Sequence, residues 1–383
     1  MLRFAPSPSR DFLVEDLKIA LLNYIIAKQK NEKFLIRIED TPKEESIEGR
    51  DTEIMLILEK FGIVHDFVYH QSQHINIHQN LAIRLLKSKK AYISKDSKKL
   101  DFSELKSIKD KKEPFEIKID GKGEIEDFTI LENNSNPSPI FASACDDILS
   151  EIDFIIREER IKDKTKKERY IHKLLDYKEI KYIHTPPITQ KNITIMELFK
   201  EGFIPDAIIN YTILKSYQNP PQKIFYLKDA ISWFDIKNIS KEPKEFDYEE
   251  LRYLNREHIK LIDDKKLSNF FGFADVNIGK LAKLYLKECS TLNELNSKIM
   301  PIFKPKNFNN SWAKEMKLLS DIIFNAPAFE KFDEFENYLS NMSGLSGEKL
   351  YKPLKLLLTN SEESPELSLI YPLIKSYILE VTS

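Results

Sequence analysis

What the 383-residue chain has little of narrows its options first. It holds two cysteines, Cys145 and Cys289, neither with a neighbouring partner, so a disulfide framework or a CxxC-type zinc site cannot be built from them. A reducing cytoplasm is the expected setting. Glycine is scarce, nine in all, and the first is Gly49; the N-terminal region therefore cannot form a glycine-rich phosphate cradle. Long apolar runs are missing too. The stretch from Ile19 to Ala27 is interrupted by Asn23, and no basic leader precedes an apolar core, so neither a membrane span nor a secretion signal is expected. Excess charge is also missing: 59 Lys and Arg stand against 61 Asp and Glu, a net of −2. Without a globally positive field, any nucleic-acid binding rests on local basic patches.

Such patches exist. Lys87, Lys89, Lys90, Lys95, Lys98 and Lys99 form one, and Lys162, Lys164, Lys166, Lys167 and Arg169 another. Nearby acids make solvated, charge-balanced faces the simpler reading of both.

The hydrophobic periodicity reads as alternating helices and strands. Phe12 to Lys28 carries apolar residues at helical spacing, Phe34 to Asp40 alternates like a strand with Arg37 and Glu39 at its end, and a second helix is expected from Thr41-Pro42 to Gly62. Val64 to Tyr69 is strand-like again. Residues 87–136 are lysine-rich and irregular apart from β-type runs at Phe115–Ile119 and Ile125–Leu131, as expected of an inserted subdomain. Alternation then resumes through a helix at Ala142–Ile152, a strand at Phe154–Arg157, a helix at Lys166–Tyr177 and a strand at Ile180–His184. This order predicts a parallel, helix-covered sheet split by an insertion. Beyond Met196 the spacing is helical to the end, with a linker-like stretch at Asn238–Glu245.

Specific blocks then narrow the class. Arg3-Phe4-Ala5-Pro6-Ser7-Pro8, Ala20-Leu21-Leu22-Asn23-Tyr24 and Phe34-Leu35-Ile36-Arg37-Ile38-Glu39-Asp40-Thr41 follow one another. Later come Cys145-Asp146-Asp147-Ile148-Leu149, Ile155-Ile156-Arg157 with Glu159, Gly202-Phe203-Ile204-Pro205 with Asn210-Tyr211, and Phe246-Asp247 with Leu251, Leu254 and Asn255. In order and spacing the chain resembles the bacterial glutamyl-tRNA synthetases over essentially its whole length. That resemblance implies a class I Rossmann-type α/β catalytic domain (residues 1–86 and 137–192) with an inserted acceptor-binding subdomain (87–136). A helical stem-contact region (193–244) and an all-α anticodon-binding domain (245–383) would follow. It also implies ATP and Mg²⁺ as cofactors, tRNA as partner, and Arg3, Ser7, Glu39 and Arg157 as lining a glutamate pocket. The chemistry agrees, because guanidinium groups suit carboxylates and Glu39 can pair with an ammonium. Outside this context Arg3 and Glu39 would read as a structural ion pair.

Two family signatures do not match. Where the family has a Thr-Gly pair and then a His-Ile-Gly-His-like element, this chain has Ser9-Arg10 and Leu13-Val14-Glu15-Asp16. Leucine cannot donate hydrogen bonds to phosphates, and two carboxylates at a helix N-terminus are expected to repel them. The family's mobile Lys-Met-Ser-Lys-like loop has no counterpart between His184 and Met196, where Lys191 alone is placed to reach a phosphate. Pro139-Ile140 and Glu158-Glu159-Arg160-Ile161 also replace family residues at the amino-acid and adenosine sites, which makes glutamate binding doubtful. The expectation is a pseudo-synthetase that binds tRNA, or a synthetase or tRNA-dependent protein partner, without charging tRNA. The rival readings are an active glutamate–tRNA ligase with divergent ATP motifs and a protein-binding scaffold.

Two further constellations have plain readings. His70, His74 and His78 recur at four-residue intervals, yet no acidic or thiolate residue is regularly spaced with them, so no metal is expected. Phe225, Tyr226, Trp233 and Phe234 are expected to pack in a core in preference to stacking on bases.

Overall fold

Three apolar runs separated by helices build the first sheet of the computed structural model, which describes residues 1–41, 45–96, 98–111, 113–189 and 192–383. Strands β1 (Leu2–Phe4), β2 (Phe34–Ile38) and β3 (Phe67–His70) pair in parallel, with Leu2 opposite Phe34 and Leu35 opposite Phe67. Helix α1 (Val14–Gln29) makes the crossover from β1 to β2. It is buried on nearly all sides because it is apolar on nearly all sides. Asn23, the residue that interrupts this apolar run, is fully buried, and its amide donates to the Ile156 carbonyl (2.8 Å) while accepting from the Ile156 N–H (3.0 Å). A side chain thus completes backbone bonds on a strand of the second parallel pair, β8 (Phe154–Glu158) with β9 (Lys181–Thr185).

Helix α2 (Arg50–Lys60) begins later than its sequence pattern predicts. The Ile47 N–H is tied to the Pro8 carbonyl (3.0 Å), and Gly49 at φ +77° turns the chain into the helix. Residues 42–44, where the pattern starts that helix, lie outside the described residues. Helix α3 (Ile75–Lys87) leads into a four-stranded antiparallel sheet in the order β5-β4-β6-β7, from β4 (Ala91–Lys95), β5 (Lys98–Leu100), β6 (Glu116–Ile119) and β7 (Phe128–Leu131). Periodicity finds β6 and β7 and misses β4 and β5. Only Ala91 and Ile93 of β4 are buried, and lysines dominate the rest of that hairpin. The short helix α4 (Leu105–Asp110) follows β5, while α5 (Pro139–Leu149) and α6 (Lys162–Leu174) share a core with α3 and this sheet.

These elements belong to a unit of residues 1–197 and 209–246. The same unit contains β10 (Ile188–Thr189), paired in parallel with β11 (Lys244–Glu245). The stretch that reads as a linker and the helical half that reads as strand-free therefore hold one short strand. Its backbone is tied down, Phe246 N–H donating to the Thr189 carbonyl at 2.8 Å.

The second unit, residues 198–208 and 247–383, is helical. Asp247, Asp263 and Asp275 cap helices at Tyr248–Leu261, Asp264–Phe270 and Val276–Leu284. Thr291 with Glu294 forms a capping box on Leu292–Ile299. Gly279 permits two of these helices to touch, since a Cβ there would lie 1.9 Å from the Asp264 carbonyl oxygen. Asn255, fully buried, accepts from the Ile204 N–H (2.8 Å) and donates to the Ser290 carbonyl (2.6 Å). That pairing explains why Gly202-Phe203-Ile204-Pro205 and Asn255 occur together in the sequence pattern.

Candidate functional site

The carboxyl ends of β1, β2 and β8 open on a cavity of about 290 Å³ in the first unit. Its walls include Arg3, Ser7, Glu39 and Arg157, the four residues nominated from sequence, and also Arg10, Asp16, Glu158, Arg160 and Lys164. Pro139 and Ile140 line it as well. Glu159, the expected acidic partner, is exposed on the following turn and is not among the lining residues, a place taken by Glu158.

Beneath the cavity lies a buried charge cluster centred on Asp147 of α5. Arg3 donates to both of its carboxylate oxygens (2.6 and 3.1 Å), and Arg37 donates to one of them (2.7 Å). Arg37 also reaches Glu39 (2.8 Å) and the Ser143 hydroxyl (2.8 Å). An Arg3–Glu39 pair is therefore not formed; Asp147 takes Arg3, and Arg37 takes Glu39. Arg37 itself is fully buried and does not reach the cavity as its place near a strand end suggests. Burial works to raise the Asp147 pKa, but Arg3 and Arg37 outweigh it and hold the carboxyl below its ordinary range. Arg157 is likewise engaged: it pairs with Glu168 and donates to Thr165 (2.7 Å), whose hydroxyl meets His184 Nε2 at 2.8 Å. Burial outweighs Arg157 at Glu168 and raises its carboxyl pKa. Among the described residues Ser7 makes a local contact, to the Ser9 hydroxyl at 3.0 Å.

At the other end of the cavity the N-terminus of α1 is filled from within. Asp16 accepts the Leu13 N–H (2.9 Å) and a two-pronged bond from Arg10 (2.6 and 2.8 Å). Burial opposes the Arg10 charge, and Asp16 more than offsets it, leaving the guanidinium pKa raised. The next N–H, of Val14, donates to the Ile193 carbonyl (3.1 Å), while Phe12 accepts from Ile195 (2.9 Å). Glu15 pairs with buried Lys18 (2.7 Å) and accepts the Ile188 N–H, and Lys18 also donates to the Pro186 carbonyl (2.7 Å). The two carboxylates expected to repel a phosphate are thus not free charges, because each has an internal cation. They occupy the helix end in place of an external anion, and Pro186, Ile188, Ile193 and Ile195 lie against it. Lys191, the possible phosphate contact, lies outside the described residues.

Other sequence candidates divide. His70 at the end of β3 joins Asp51 (3.0 Å). His74 and His78 do find an acidic partner, since Asp146 of α5 receives both, at 2.9 and 2.8 Å. Sequence spacing misses it because Asp146 lies in another helix; its only signal is an acidic pair inside the apolar run of α5. Three of the four aromatics pack, Phe225 edge-on to Trp233 at 5.1 Å with Tyr217 joining both Trp233 and Phe234, while Tyr226 is half-buried. In the first lysine patch Lys90, Lys95 and Lys99 pair with Asp176, Glu113 and Asp127. In the second, Lys162, Lys164, Lys166 and Arg169 are exposed on α6.

Comparison with known proteins agrees with this geometry. Residues 1–120 match the family described as tRNA synthetases class I (E and Q), catalytic domain. Glutamate–tRNA ligase 2 of Sulfurovum sp. (strain NBC37-1) is 48% identical, with 100% of both chains covered. That alignment runs over 429 positions, more than the 383 residues here, so the relative has stretches without a counterpart in this chain. Glutamate–tRNA ligase 1 of a Nitratiruptor species is 40% identical, again over 100% of both. Among solved structures, a glutamate tRNA ligase from Elizabethkingia meningosepticum superposes with a TM-score of 0.80 at 19% identity, covering 99% of this chain and 97% of that one. The fold is that of the class I synthetases, and the chain belongs to the glutamate–tRNA ligase family.

Proposed function

We propose that this family member binds tRNA through a synthetase-type framework and does not activate glutamate with ATP at a useful rate. The observation that carries the reading is the α1 N-terminus, where Asp16 and the Ile193 carbonyl have taken the N–H groups of Leu13 and Val14. A helix end binds phosphate because its first N–H groups are unsatisfied. Here two of those donors are spent, Asp16 fills the helix end with its own carboxylate, and the Leu13–Asp16 segment offers no imidazole or glycine beside them. The residues present do not fit a nucleoside triphosphate with its Mg²⁺: the cations nearest the helix end, Arg10 and Lys18, are neutralised by Asp16 and Glu15. Loss of one preorganised donor costs about 2.7–4 kcal/mol in the transition state, and several are missing together.

For the amino-acid end, we assign Ser7 and the partly exposed Glu39 as the groups that face an incoming ammonium. Arg3 and Arg157 already hold Asp147 and Glu168, so a substrate carboxylate has to compete with a buried anion at each. Glutamate binding is accordingly weak.

ATP–pyrophosphate exchange with glutamate, run beside an active relative, tests the proposal. Exchange lower by a factor of about 10³ or more is expected from the loss of several donors. Exchange at the relative's pace overturns it and establishes the second reading, an active ligase, which the 48% full-length identity favours. Titration with bulk tRNA at low salt tests the binding half separately. Failure to bind, with a stoichiometric protein partner co-purifying instead, establishes the scaffold reading.

A further inference from the structure

We propose that His74, His78 and Asp146 form a site for a divalent transition-metal ion, zinc foremost. The three ligand atoms lie within 4.8 Å of one another. His74 Nδ1 and His78 Nε2 converge on the same carboxylate oxygen, Oδ1 of Asp146, at 2.9 and 2.8 Å. In a tetrahedral zinc site with bonds of about 2.0–2.2 Å, ligand atoms sit roughly 3.3 Å apart. Each histidine–carboxylate distance thus lies about half an ångström short of that spacing.

The surroundings favour a cation. Asp146 and His78 are fully buried, and the other oxygen of Asp146 is held by the Gln71 amide at 3.0 Å, which fixes the carboxylate with Oδ1 turned to the imidazoles. The neighbouring charge cluster sets two guanidinium groups, Arg3 and Arg37, against three carboxylates, Asp146, Asp147 and Glu39. Arg3 and Arg37 are committed to Asp147 and Glu39. One buried negative charge is left facing two imidazoles, and burying it without a cation is costly. A divalent ion on two imidazoles and a carboxylate supplies that charge with ligands that suit zinc, iron(II) or cobalt(II). His74 is partly exposed, which gives an entry path and room for water as a fourth ligand. Nothing in the proposed tRNA-binding role uses this trio.

The test is zinc titration by calorimetry on the full chain after EDTA treatment and dialysis, with cobalt(II) absorption as a second readout. One equivalent of saturable zinc is expected, with visible d–d bands on cobalt loading that zinc abolishes. His74→Ala and His78→Gln should each weaken binding at least tenfold, and the zinc-induced rise in Tm should vanish with them. Absence of saturable binding to the wild-type chain overturns the proposal, as does a stoichiometry and affinity unchanged in His74→Ala. Should His78→Gln fail to fold, His74→Ala at the partly exposed ligand decides the matter together with the wild-type cobalt spectrum.

Discussion

At the scale of single residues, Asp147 has the largest predicted effect. It is a fully buried carboxylate shared by two guanidinium groups that have no exposure of consequence. Removing one member of a buried pair strands its partner, which typically costs about 3–5 kcal/mol. Asp147→Asn is therefore expected to lose about that much in urea unfolding at pH 7, since Arg3 and Arg37 are both left short of an anion. The pH dependence follows from the depressed pKa. The stabilisation is complete above the unfolded carboxyl value of about 3.9 and is lost as pH falls through the lower folded value. The gap between wild type and Asp147→Asn should narrow on acidification, and a gap constant from about pH 7 to about pH 2 would show that ionisation of Asp147 is not its source. Asp16 makes a different forecast. Asp16→Asn frees Arg10 and weakens the internal anion at α1, so pyrophosphate binding should tighten about tenfold, or about 1.4 kcal/mol. Equilibrium dialysis with labelled pyrophosphate measures this, and unchanged binding would mean that the Asp16 carboxylate is not what excludes an anion from the helix end.

At the scale of elements, α1 shows what sequence can and cannot disclose. Its apolar spacing marks the helix, and the block from Arg3 to Pro8 marks the cavity wall; both stand where the pattern puts them. Asn23 is legible only as an interruption, because a lone polar residue does not name its partner, and Ile156 is 133 residues away. The same limit hides Asp146 from His74 and Asp147 from Arg3, all joined across elements by burial and not by spacing. The β4–β5 hairpin escapes for another reason, its lysines masking two buried positions. Asn23→Leu fits the helix but leaves the Ile156 N–H and carbonyl without their side-chain partner, at about 1–3 kcal/mol for each buried group so stranded. Faster hydrogen exchange at the Ile156 amide, with α1 still helical by circular dichroism, is the expected result. Protection equal to wild type would show that another group takes over.

At the scale of the whole molecule, a net charge of −2 means that the proposed tRNA binding cannot come from a diffuse field and must be local. The face of α6 is the proposed source in the first unit, since Lys162 and Lys164 are exposed and Lys164 lines the cavity, while three of the six lysines of the other patch are paired with Asp176, Glu113 and Asp127. Each neutralised phosphate releases condensed counterions, so the slope of log K against log salt counts the phosphates engaged. Reversing Lys162 and Lys164 to glutamate should flatten that slope by about 0.7–0.9 for each phosphate no longer neutralised and weaken binding most at low salt. Reversing Lys95 and Lys99, already paired with acids, should change the slope little. A slope insensitive to α6 would move the tRNA surface elsewhere on the chain. That result would leave the ATP argument standing, because the filled helix end and the basic face are separate features with separate assays.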